Sequence, residues 1–230
     1  MKVRFRFAKL GRVRWTSHRD VARMWERALR RAALPVAYSG GFSPRPQLSF
    51  GLALPTGCES LAEYLDAAFD AEVEPGELPG LLESHMPEGV SVTAAARLEV
   101  GAASLQEEVT SCTWIVDVPG VEMDEVARSV ERAMAAESLP LHRERKGRRL
   151  LDDLRPSVLS LHTVADEPGV CRIEADLATR PRGVRPSELA EALGLELGPA
   201  RRTHQWIERS GSRCEPLAVA ASPVVLGCAS

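Results

Sequence analysis

The sequence predicts an α+β fold built from two tandem ferredoxin-like domains with mainly antiparallel sheets. Three observations carry this reading. "KVRFRFAK" (2–9) and "CTWIVDV" (112–118) alternate with the two-residue period of a strand. Each is followed by a run whose apolar residues recur at helical spacing. The β-α-β-β-α-β order that starts at the first strand recurs after the second.

Taken in order, Val3, Phe5 and Phe7 face one way in the first strand and Lys2, Arg4 and Arg6 the other, as in a strand with one buried face. "TSHRD" opens a helix, with Ser17 and Asp20 spaced like a capping box. Val21, Trp25, Ala28, Leu29 and Ala32 form its apolar stripe, and Pro35 ends it. "VAY" and "QLSFGLAL" read as short strands on either side of a glycine–proline loop. "SLAEYLDAAFD" (60–70) fits a helix or a strand, "PGELPGLLESHM" a short helix, and "VSVTAAARLEV" a strand. The second copy reads "SCTWIVDV", the helix "MDEVARSVERAMAAE", a hairpin turning near Lys146–Gly147, the strands "VLSLHTV" and "CRIEADLA", the helix "PSELAEALGL", and the strand "ARRTHQWIE". These elements place one domain over 1–100 and another over 110–210, joined near 101–109, with a tail over 211–230. The expected core includes Val3, Phe5, Phe7, Trp25, Leu29, Trp114, Val116 and Ile207.

At 44% hydrophobic and 27% charged residues the composition is that of a globular protein. No apolar run is long enough to span a membrane, and the basic–apolar alternation of the N-terminus is unlike a signal peptide, so a cytoplasmic location is expected. Cys58, Cys112, Cys171, Cys214 and Cys228 are scattered, without CxxC or Cys/His ligand spacing. No metal or cofactor held by this chain is therefore expected. The net charge of −3 hides an asymmetry: residues 1–57 carry twelve Lys/Arg against Asp20 and Glu26. Such a split points to a basic surface for a polyanion.

Arg19, Arg23, Arg27 and Arg30, with Arg31 beside them, form one stripe along the first helix. Together with Arg4, Arg6, Lys9, Arg12 and Arg14 from the preceding strand and turn, they suggest a face that tracks phosphates. A solvated helix face is the alternative. In "GGFSPRPQLSFG" (40–51), Gly40 and Gly41 permit positive φ, and Pro44 and Pro46 stiffen an extended stretch that displays Arg45. Phe42 either stacks on a base or plugs the core. No phosphate-loop signature occurs. His18, at the start of the helix, is a candidate for a general base. "RERKGRR" (143–149) is a second basic cluster at a hairpin tip.

Residues 5–70 hold a dense set of motifs: Lys9 and Gly11 at a strand exit; Ser17, His18 and Asp20 at a helix start; and Arg27, Ala28, Arg30, Arg31 and Ala32 at its end. Tyr38, Ser39, Gly41, Phe42, Pro44 and Pro46 follow in the loop, then Gly57, Ser60, Glu63 and Tyr64. In these residues the chain resembles the radical-SAM-linked family, a bacterial domain found alone or fused behind a B12-binding-type radical SAM domain. The resemblance implies a radical SAM partner, itself using SAM and an iron–sulfur cluster, and names no reaction. The expected function is an accessory module that binds RNA, or presents substrate, for that enzyme. Two alternatives stand beside it. Tandem ferredoxin-like domains are similar to metal-independent CRISPR repeat-processing endoribonucleases, for which His18, Tyr38 and Arg45 are the candidates here. A protein–protein adaptor without nucleic acid contact is the other.

Overall fold

The computed structural model describes residues 1–217 except 146, 168, 169, 197 and 210. In β1 (Lys2–Lys9) Val3, Phe5 and Phe7 are buried as the alternation requires. They meet the apolar stripe of α1 (His18–Arg31), where the Trp25 ring lies 5.2 Å from both Phe5 and Phe7. Ser17 caps this helix: its hydroxyl accepts from the Asp20 N–H at 3.3 Å and donates to Asp20 Oδ2 at 2.7 Å. Beyond α1 come β2 (Leu48–Phe50), β3 (Glu59–Ala68), α2 (Leu78–Glu83) and β4 (Val90–Arg97). After the short α3 (Leu105–Glu108), the second half contains β5 (Val109–Val118), α4 (Met123–Ala135), a hairpin of β6 (Pro140–Arg145) and β7 (Arg148–Asp153), β8 (Val158–Glu167), β9 (Val170–Ala178), α5 (Pro186–Leu193), β10 (Ala200–Arg209) and β11 (Ser212–Cys214).

The fold is a mixed α+β arrangement around a large, mostly antiparallel sheet. Its strand order is β4-β1-β3-β10-β5-β9-β8, with β2 on β3 and β11 on β10. The two halves share this one sheet rather than forming two. They join where β10 runs parallel to β3, pairing Arg201 with Glu59 and Arg202 with Ser60. Two core clusters flank the junction, one under α1 and α2 and one under α4 and α5. All eight residues expected in the core are buried. The ambiguous segment 60–70 is strand, and its Leu65, Ala67 and Phe69 enter the first core. "VAY" contributes only the isolated bridges Val36–Phe69 and Tyr38–Pro46.

The expectation of one buried face on β1 needs correction. Arg4 is 2% exposed and Lys9 3%. α3 and residues 215–217 cover the second face of the sheet, with Leu105 and Leu217 packed at Ala62 and Tyr64. Arg4 makes two bonds to Asp66, at 2.7 and 2.9 Å, and a third to Glu108 at 3.2 Å. Arg6 lies 3.3 Å from Glu215. Lys9 Nζ donates to the carbonyls of Thr16 and Arg14 at 2.9 and 3.4 Å. Three of the cations counted toward a basic surface are therefore held inside by polar partners, most of them distant in sequence. No helix among the described residues is long and apolar enough to cross a membrane.

Candidate nucleic-acid interface

The arginines of α1 meet the glycine–proline loop across an open groove of about 530 Å³. Arg19, Arg23 and Arg30 line it from the helix, with Glu26 among them, and Tyr38, Pro44, Arg45 and Pro46 line it from the loop. Helical period explains the first wall: positions 19, 23, 26 and 30 share a face opposite Trp25 and Leu29. The loop is fixed at its root and neck. Ala37 N–H donates to Ala68 O, Gln47 N–H to Ala37 O, and Ala68 N–H to Gln47 O. Across the neck, Ser39 N–H donates to Arg45 O at 2.9 Å and Arg45 N–H to Ser39 Oγ at 3.1 Å. Gly41 sits at φ +110°, a backbone that side chains other than glycine rarely adopt.

Charge compensation separates these arginines from those of the sheet. Arg4, Arg201, Arg202, Arg209 and Arg213 are each ion-paired. In the groove Arg23 alone has a carboxylate within ion-pair distance among the described residues, Asp20 at 3.6 Å. The Ser17 hydroxyl, and then the Arg23 and Arg19 cations, hold the Asp20 carboxyl below its ordinary range. Like charges at helical spacing oppose the helix by a few tenths of a kcal/mol per pair. The groove thus gathers arginines with little local compensation, beside the Glu26 carboxylate.

The other expected site residues fall elsewhere. Arg27 and Arg31 are exposed on α1 but do not line the groove, and Arg27 Nε donates to the Arg23 carbonyl at 3.2 Å. Arg12 is exposed on the turn Gly11–Trp15. Arg14 stacks on Trp15 at 5.3 Å and lies 3.6 Å from Glu59. Phe42 is fully exposed, which rejects the core-plug reading. In "RERKGRR", Lys146 lies outside the described residues, and Arg143 pairs with Asp152.

His18 is exposed and packs edge-on to Phe50 at 5.1 Å. With Lys9, Glu63 and Tyr64 it lines a separate cavity of about 20 Å³, the size of one water. His18 thus lines a different cavity from Tyr38 and Arg45. Burial lowers the Lys9 pKa, with the Glu63 charge opposing. Glu63 accepts from Arg202 Nη2 at 2.6 Å and Nε at 3.2 Å, joining the two halves. Sequence reasoning missed this bridge. The only hint is a charged residue inside the apolar run "LAEYL". Among the described residues no group of three or more His, Cys, Asp or Glu is placed to hold a metal ion.

A family profile described as an uncharacterized protein conserved in bacteria, DUF2344, matches residues 2–186. The chain belongs to the DUF2344 family. Every motif residue of the groove and of the His18 cavity lies within the DUF2344 match, whereas Arg202 and all of β10 lie beyond it. No curated protein matches the chain. Among solved structures, a chain from the "Crystal Structure of a Cbf5-Nop10-Gar1 Complex" is similar in fold, with a TM-score of 0.52 at 9% identity. The similarity covers 88% of this chain and 48% of that one, so this chain spans about half the length of its structural neighbour. At this identity the likeness concerns the fold alone.

Proposed function

We propose that this DUF2344 protein is an accessory RNA-binding module that presents RNA to a separate radical SAM enzyme. The observation that carries the RNA part is the groove, in which Arg19, Arg23, Arg30 and Arg45 converge from a helix and a rigid loop with one exposed carboxylate partner among them. Guanidinium groups without strong internal partners bind phosphates by releasing counterions, and the grip weakens as salt rises. The partner rests on the motif resemblance alone: Ser17, His18, Asp20, Tyr38, Gly41, Phe42, Pro44, Pro46 and Glu63 follow the radical-SAM-linked pattern. SAM and the iron–sulfur cluster belong to that partner.

Capture of the native protein from its own cells tests both halves of the proposal. RNA recovered with the protein, together with a radical SAM enzyme, is the expected result, and nuclease treatment removes the RNA. Recovery of the enzyme with no RNA would favour the adaptor reading. Recovery of neither would remove both.

A further inference from the structure

The loop that walls the groove carries aromatic rings that phosphate binding leaves unused: Tyr38 in the wall itself and Phe42 at the tip, outside the groove lining. Phe42 projects from the loop tip fully exposed, and no described part of the chain covers it. Tyr38, about half exposed, lies in the groove wall below the tip. An exposed Phe forgoes the free energy of burial that such a ring gains in a core. The Tyr38–Pro46 bridge and the Ser39–Arg45 hydrogen bonds close the neck, and Pro44 and Pro46 fix their own φ angles. A tip carried on a closed neck costs less to order on binding than one on an open loop.

We propose that the groove takes single-stranded RNA, with the arginines on the backbone and bases stacked on Phe42 and Tyr38. This rests on the RNA reading above and specifies its substrate class. In an A-form duplex the base faces are stacked on one another and the deep major groove admits no side chain. A duplex would satisfy the arginines and leave Phe42 without a contact. An unpaired strand offers phosphates and base faces together, the combination that positively charged grooves with aromatic platforms bind. Because every base has a π-face, recognition of this kind tolerates sequence.

The test compares binding of an oligouridylate of roughly ten nucleotides with binding of an RNA duplex of similar length, for wild type, Phe42→Ala and Phe42→Trp. Wild type is expected to prefer the single strand. Phe42→Ala should weaken single-strand binding by roughly 5- to 150-fold, the range for loss of one base–aromatic stack, and leave the salt slope unchanged. Phe42→Trp should retain binding. Melting temperatures should be equal, since Phe42 contributes nothing to the core. Equal affinity for strand and duplex, or unchanged RNA binding by Phe42→Ala, overturns this inference while leaving the RNA reading in place. A Phe42→Ala variant that keeps RNA but no longer captures the enzyme reassigns Phe42 to the protein partner. If wild type binds neither RNA, the RNA reading fails and this inference falls with it.

Discussion

The ion pair at the junction of the two halves makes a prediction whose size follows from its geometry. Arg202 and Glu63 have side chains 2% and 10% exposed and approach to 2.6 Å. The Arg202 guanidinium also donates to Leu52 O at 2.9 Å and lies 5.4 Å from the Trp114 ring. Replacing Glu63 by Gln leaves the buried Arg202 cation without its counter-ion, and buried Lys9, on the same cavity, loses its facing charge. Breaking a buried pair from one side costs about 3–5 kcal/mol. At 2–4 °C per kcal/mol for a chain of this size, the melting temperature should fall by roughly 6–20 °C. Arg202→Met strips the buried Glu63 carboxylate of its two Arg202 hydrogen bonds and the Leu52 carbonyl of a donor, and should cost a similar amount, with Lys9 as the remaining cation facing Glu63. Thermal and urea unfolding of the two variants give the comparison. A loss below about 1 kcal/mol in either variant would refute the idea that a buried charge network holds the junction.

Two further predictions concern the fold. Burial pushes the Glu59 carboxyl upward, but hydrogen bonds from Arg201 and the Gly11 N–H outweigh it and set the net shift below the ordinary 4.5. A depressed folded pKa means stability that is present above the unfolded value and lost as pH falls through the folded one. Glu59→Gln should therefore flatten the decline in urea stability below about pH 4.5, and an unchanged acid profile would argue against the assignment. Gly89 has φ +84°, and a Cβ there would lie 2.3 Å from Leu10 O. Gly89→Ala should lose at least roughly 1–3 kcal/mol, and a melting temperature equal to wild type would mean that the close approach of Leu10 is wrong.

What could be read from the sequence is what local periodicity encodes. The alternation of β1 told which residues face α1, and the stripe Val21–Trp25–Ala28–Leu29 told which face of α1 answers them. Periodicity does not name a partner on the opposite face. Arg4 looked like a solvent-facing residue because Asp66 and Glu108, which neutralise it, lie 62 and 104 positions away. The same distance problem hid the bridge from Glu63 to Arg202, 139 positions apart, and the parallel β3–β10 contact that merges the halves into one sheet. In the groove, helical spacing was enough to align Arg19, Arg23 and Arg30. The side on which Arg45 arrives depends on hydrogen bonds between the loop root and β3, and no residue pattern within the loop states them.

The central claim is tested most directly by the salt dependence of RNA affinity. Binding of a single-stranded oligonucleotide would be measured by fluorescence anisotropy from roughly 50 to 200 mM salt, for wild type, the double variant Arg23→Gln/Arg30→Gln, and Arg12→Gln as a control outside the groove. Four groove arginines on a single strand predict a slope of roughly −3 in log affinity against log salt, at about −0.7 per phosphate contact. The double variant should bind more weakly at low salt and flatten the slope by about 1.4, with an unchanged melting temperature, because both residues lie off the apolar face of α1. Arg12→Gln should leave the slope close to wild type. A wild-type protein that binds no RNA at about 50 mM salt, or a double variant with wild-type affinity and slope, would contradict the account.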